Sequence, residues 1–323
     1  MHFVPIAARI VLAAALAVLV ASVHAQTYPT RPINLIVPLG PGGGYDLTGR
    51  VLAEGISKDL GQPVVVENRP GAGTVVGTQY VVRSAPDGYT LLVGGIGSIA
   101  HAPALVKDLP YNPGTDLVPL QLVSTNSYTL TARSDFGPKT LLEVIAYARA
   151  NPGKLTIGTP GQGTGQDVAK ALLKNLAGID VLDVPYKNAP PIYIDMMAGR
   201  VDLFFDATGT AQSFVLSGKV RGIATSGAQR DFILPDLPTA REAGLTDMVL
   251  ENWTGLFAPA KTPRPVVLRL RQAITNVAAT PEFQKQMTSR GYTLISPPDA
   301  EAFVKAEIDR WPAMLAKAGL KAQ

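Results

Sequence analysis

From Leu35 to Ile56 the chain reads LIVPLGPGGGYDLTGRVLAEGI. A short apolar run ends at Pro38. Four glycines follow (Gly40, Gly42, Gly43, Gly44), then Asp46, then a helix-like pattern. Strand, bare backbone and helix in that order place the first N–H groups of a helix at a corner. Those groups have no partner inside the helix, and the positive end of its dipole lies there too. Glycine lets backbone approach a ligand closely and adopt positive φ. Such a corner suits an anion, either a phosphate or a carboxylate, or it is a tight turn with no ligand.

Outward from this corner the chain alternates. Residues 33–39 read as a buried strand and 46–61 as an amphipathic helix ending at Gly61. Strands at 63–70 and 89–95 enclose a helix at 73–85, which makes βαβαβ and a mostly parallel sheet. The alternation restarts with strands at 128–133, 155–159, 180–186, 201–207 and 218–227, and helices at 140–153, 165–178 and 190–200. From about Pro263 the pattern is helical. The second unit builds a similar corner. PGGGYD at 41–46 and PGQGTGQD at 160–167 both open with Pro-Gly and close with glycine, one residue, aspartate. Two such corners suggest two lobes facing one ligand.

The 323 residues suit two domains. Residues 1–25 stand apart. Arg9 is their one fixed positive charge, Ile10 to Ala21 is wholly apolar, and Val23-His24-Ala25 fits a cleavage site. This is the layout of a secretory signal peptide, with an apolar core too short to span a bilayer. A periplasmic protein beginning near Gln26 is expected. There is no cysteine, so the core alone must hold the fold. The net charge of +4 is scattered and supports no nucleic-acid surface.

Of three histidines, His2 and His24 leave with the signal peptide and only His101 stays. Zinc sites of the usual His/Cys type cannot be built from it. A Ser-His-Asp triad would have to use His101, yet no G-x-S-x-G elbow occurs. No catalytic residue, metal or cofactor is assigned. Phosphate readings also fail. The chain lacks G-x-x-x-x-G-K-[ST], and Gly71-Ala72-Gly73-Thr74-Val75-Val76-Gly77 has the wrong spacing for a dinucleotide fingerprint.

The stretch 28–94, beginning YPTRPINLIVPLGPGGGYDLTGR, closely resembles the solute-binding proteins of the tripartite tricarboxylate transporter class, the Bug or TctC family. The likeness continues through LPYNP, VPYKNAPP, GRVDLFFD, LPDLPTAREAGL and WTGLFAPAKTP. It implies an α/β, two-lobed periplasmic binding protein fold of Venus-flytrap type, each lobe a mostly parallel sheet flanked by helices. Lobe 1 is expected to hold 26–125 and 230–323, and lobe 2 to hold 126–229. The lobes would close over a small organic carboxylate. The loaded protein, expected to be monomeric, would deliver it to membrane permease subunits.

Carried over residue by residue, Gly42, Gly43, Gly44, Tyr45 and Asp46 match the first carboxylate-gripping loop. Gly163, Thr164, Gly165, Gln166 and Asp167 match the second. Ser98 and His101 fall in the segment implied to face the cleft. Tyr186 and Asn188 match a Pro-Tyr-Lys-Gly turn, with Asn188 in place of its glycine, and Asp206 ends the strand VDLFFD. Asp46 also reads as a helix N-cap, Asp206 as a brace for a neighbouring loop, and Trp253 as core rather than a wall of the site.

The second loop departs from the family pattern. It lacks a histidine and carries Asp167, which would repel a carboxylate unless it faces away or pairs with a cation. Tyr45, Tyr128, Tyr186 and Phe205 offer flat walls to an aromatic ring. An aromatic carboxylate and an aliphatic di- or tricarboxylate both stay open. An exported carboxylate-processing enzyme and a sensor feeding a receptor kinase are the alternative functions.

Overall fold

The computed structural model describes residues 28–161, 164–317 and 319–320. The signal-peptide segment and Gly163 lie outside the described residues. Among the described residues ten strands form one continuous sheet in the order β2-β1-β3-β9-β4-β7-β5-β6, with β8 and β10 pairing to β4 off this path. Strands β1 (Ile33–Val37), β2 (Val64–Asn68) and β3 (Thr90–Gly95) are parallel to one another. So are β5 (Thr156–Thr159), β6 (Leu182–Pro185) and β7 (Leu203–Ala207). Helices return the chain between them: α1 (Gly44–Leu60) and α2 (Val75–Val82) in the first set, α3 (Leu141–Ala150), α4 (Gly165–Ala177) and α5 (Ala189–Met197) around the second.

One long strand, β4 (Leu117–Arg133), joins the two sets. Its residues from Leu117 to Ser127 pair antiparallel with β9 (Glu251–Pro259), which itself pairs with β3. From Tyr128 to Arg133 it pairs instead with β7 and with β8 (Val220–Thr225). The change of partner at Ser127/Tyr128 is where the two halves of the sheet meet. Helix α6 (Thr208–Leu216) leaves β7 at this junction.

The C-terminal helices α7 (Arg264–Ala278), α8 (Pro281–Thr288) and α9 (Ala300–Lys317) follow, with β10 (Thr293–Leu294) pairing β4 at Ser124 and Thr125, within the stretch that also pairs with β9. Val267, Leu270, Ala273 and Ile274 of α7 are buried in one cluster with Leu52, Ala53 and Ile56 of α1 and with Leu35 and Val37 of β1. A second cluster gathers Val168 and Leu173 of α4, Val144 of α3 and the strand residues Ile157, Leu203 and Phe205.

Local chemistry explains the boundaries. Helix α1 stops at Gly61, which takes the left-handed conformation at φ 66°. Helix α3 opens with a capping box between Thr140 and Glu143. The 97–105 stretch begins as a π-turn, Gly97–His101, and runs on into Ala102–Leu105. Among the described residues no helix is long and apolar enough to cross a membrane.

Candidate functional site

Both glycine corners open onto a single cavity between the two halves of the sheet, enclosing ≈ 530 Å³ of empty space with its open mouth included. Its walls are mostly the starting ends of helices. Gly43 and Gly44 begin α1, Thr74 precedes α2, Gly97 opens the π-turn, Thr164 and Gly165 begin α4, Asn188 and Ala189 begin α5, and Ala207 precedes α6. Six helical segments among the described residues thus begin at this space, though not all with free N–H groups. The first two of α2 donate to the Ala72 and Gly71 carbonyls, Gly97 donates to Tyr45, and Pro190 and Pro191 of α5 have none. This leaves the starts of α1, α4 and α6 and the Ala189 N–H of α5. Of these six N-caps only Thr164 is met by its own side chain, which accepts from the N–H of Asp167. Gly43, Thr74, Ile96, Asn188 and Ala207 make no side-chain cap hydrogen bond. No Lys, Arg or His lines the cavity among the described residues. The positive character of the site therefore comes from backbone, a geometry suited to an anion.

The two halves already touch around this space. A Cβ added to Gly40 would lie 2.7 Å from Asn188 Nδ2, and one on Gly161 would lie 3.4 Å from the Cα of Gly73. Bare backbone at these positions lets the rims approach.

Of the residues singled out from sequence, Gly43, Gly44, Tyr45, Thr164, Gly165, Gln166 and Asn188 line the cavity. Tyr45 is buried, and its hydroxyl accepts from the N–H of Gly97 at 3.3 Å. Gly42 sits behind the wall at φ +85° and donates its N–H to Asp46.

Asp46 shapes the loop. One carboxylate oxygen accepts from Gly42 N–H and Arg50 Nε, and the other from Arg50 Nη2 and Asn68 Nδ2, at 2.9–3.0 Å. Burial disfavours its charge, but the Arg50, Gly42 and Asn68 hydrogen bonds outweigh this and hold the carboxyl below its usual range. The N-cap reading does not hold, because the cap position is Gly43.

Asp167 stays out of the lining and pairs with buried Lys170 at 2.7 Å; Lys170 also binds Asp183 at 2.8 Å. The acid in the second loop thus has a cation partner, which resolves its conflict with an anion site.

Ser98 and His101 are fully buried behind the wall. Ser98 Oγ hydrogen-bonds the backbone of Gly95, and the His101 ring packs edge-on against Trp311 of α9, centroids 4.3 Å apart. The Tyr186 hydroxyl donates to Asp195, outside the lining. Of the four aromatic walls considered, Tyr45 and Tyr128 reach the cavity, whereas Tyr186 and Phe205 do not. Trp253 is core, donating Nε1 to Glu307 at 2.8 Å and packing on Phe303.

Asp206 is wholly buried one step behind the lining. Its Oδ1 accepts from Ala207 N–H at 2.8 Å and Gln166 Nε2 at 3.4 Å, and Oδ2 accepts from the Tyr193 hydroxyl at 3.1 Å. Burial pushes this carboxyl up to about 7, against the opposing pull of those three donors.

Sequence reading missed Thr74, Gly97, Ala207 and Asn252. For the first three a signal existed: each stands where a strand or loop passes into a helix. Asn252 lies within a strand and gave none.

Residues 48–320 match the model of the tripartite tricarboxylate transporter family receptor, TctC. Among solved structures, the periplasmic binding protein BugD is 36% identical with a TM-score of 0.88, over 92% of this chain and 100% of its own. Rpa4515 of R. palustris, solved with adipate, is 29% identical with a TM-score of 0.87, over 92% and 100%. MatC from Rhodopseudomonas palustris, solved with bound malate, is 33% identical with a TM-score of 0.85, over 89% and 100%. The fold is the two-lobed α/β fold of periplasmic binding proteins.

Proposed function

The chain belongs to the tripartite tricarboxylate transporter receptor family, and on that footing we propose that it is a periplasmic solute-binding protein that captures a small organic carboxylate. The observation that carries this reading is the convergence of the starts of α1, α4, α5 and α6 on one cavity that no cationic side chain lines among the described residues. A carboxylate is satisfied there by backbone N–H groups and dipoles. Malate and adipate bound to two relatives are consistent with the same ligand class.

Gly43, Gly44, Tyr45, Thr164, Gly165, Gln166 and Asn188 contact the ligand in this reading. Asp46 holds the first loop in shape, and Asp206 tunes the second side from behind. The lobes comprise 26–125 with 230–323, and 126–229, and they hinge where β4 exchanges partners. Binding transfers no group and needs no cofactor. The closed, loaded form is the one a membrane permease receives.

Ligand that binds only the folded state raises the melting temperature. A thermal-shift panel of aliphatic and aromatic carboxylates, amino acids and NAD is expected to give shifts with a carboxylate class. A shift with NAD alone, or with no carboxylate, overturns the reading.

A further inference from the structure

The cavity is bordered by helix starts that offer N–H donors, so a buried acceptor among its lining residues stands out. Asn252, on β9, lines the cavity and is 5% exposed. Its Nδ2 donates to Asn126 Oδ1 at 3.1 Å and to Thr254 Oγ1 at 3.5 Å. Its Oδ1 is buried and meets no hydrogen-bond partner.

The orientation of this amide is fixed from below. Asn126 Nδ2 donates to the Ser127 carbonyl at 2.9 Å. A carbonyl only accepts, so the Asn126 amide must turn its nitrogen there and its oxygen towards Asn252. Asn252 must then answer with its own nitrogen. Turning either amide over sets two acceptors face to face. The relay runs one way, and its unpartnered end is the oxygen of Asn252, a residue that lines the cavity. A second lining amide, Asn188 at the start of α5, also keeps a buried oxygen without a partner, on the opposite half of the sheet.

A buried acceptor is satisfied by a donor brought by the ligand, and selectivity is strong where a ligand lacking that donor leaves the site's polar atom bare. A carboxylate is acceptor only. Resting on the carboxylate reading above, we infer that the cognate ligand carries an O–H or N–H donor beside its carboxylate, a hydroxy- or amino-carboxylate rather than a plain one, and that Asn252 is the residue that selects it.

The test uses matched sets on the intact protein by calorimetry: succinate, malate and aspartate; glutarate, 2-hydroxyglutarate and glutamate; propionate, lactate and alanine; benzoate and 4-hydroxybenzoate. In whichever set binds, the donor-bearing member is expected to bind at least tenfold tighter than the plain member, about 1.4 kcal/mol. The hydroxyl and amino arms tell which donor is meant. Asn252→Leu is expected to bring that ratio towards one, whereas damage to the fold alone lowers all members together. Equal binding of plain and donor-bearing members by the wild type overturns the inference and leaves the carboxylate reading standing. So does an unchanged ratio in Asn252→Leu. Binding of no carboxylate in any set overturns both.

Discussion

Asp206→Asn is expected to raise the melting temperature at pH 8 by roughly 5 °C or more, and to change it little at pH 4. The carboxyl is wholly buried, and burial pushes it from 3.8 up to about 7. Between those values the folded state holds the proton that the unfolded chain has released. The stabilising effect of the protonated form is therefore fully present below pH 4 and is lost as pH rises to 7. A shift of about three units corresponds to about 4 kcal/mol. Asparagine keeps an acceptor for Ala207 N–H and Gln166 and cannot ionise. Binding should follow the same group, because Ala207 and Gln166 both line the cavity. An ionised Asp206 sets a like charge behind a carboxylate ligand. Wild-type affinity is expected to strengthen from pH 8 to pH 6, and the variant's to stay flat. Parallel pH profiles for the two proteins would rule this role out.

Gly209→Ala is expected to weaken ligand binding by roughly 5- to 150-fold, the equivalent of an overpacking cost of about 1–3 kcal/mol. Gly209 is the second residue of α6, and a Cβ there would lie 1.9 Å from the Arg290 carbonyl and 2.8 Å from the Tyr292 ring. A backbone oxygen cannot rotate aside as a side chain can. The facing turn holds Gly291 at φ +78°, so two glycines meet backbone to backbone. Gln212 also donates to the Ser289 carbonyl at 2.9 Å. Helix α6 follows β7 on one half of the sheet, and the 289–291 turn precedes β10 on the other. If these surfaces meet only on closure, the methyl group penalises the closed form alone. Only differential interaction with the two states moves such an equilibrium. The dissociation constant then rises while the melting temperature of the unliganded protein holds. A lowered melting temperature with unchanged affinity would mean that this contact is permanent and not part of closure.

Much of the architecture was legible because strands such as β1 and β7 are mostly apolar and glycine or proline lies near their ends. INLIV and VDLFFDA announce themselves in this way, and so do helices with a capping threonine or a terminal glycine. The first eleven residues of β4 and all of β9 did not. They carry Ser124, Asn126, Asn252 and Thr254 on buried positions at the junction of the two halves, which breaks the apolar signal a buried strand normally gives. Helix α6 was hidden for a related reason: its start, ATGTAQ, lacks a side-chain cap.

At the site, glycine corners were readable because few other sequences place bare backbone between strand and helix. Side-chain roles were harder to read. Asp46 and Asp167 look alike in sequence, each an acid in the first turn of a helix. One braces its loop through Arg50 and Asn68, and the other is neutralised by Lys170. Ser98 and His101 belong to the right segment but point their chemistry into the core. Asn252 acquires its meaning only from Asn126, a residue 126 positions away.

The central claim is that backbone N–H groups at helix starts hold the ligand's carboxylate. A crystal structure with the carboxylate that gives the largest thermal shift tests it most directly. The account predicts carboxylate oxygens within hydrogen-bond distance of N–H groups at Gly43–Gly44 and at the starts of α4 or α5, directly or through one water, with no Lys or Arg side chain in contact. A carboxylate paired with a Lys or Arg side chain, or bound outside this cavity, would contradict it.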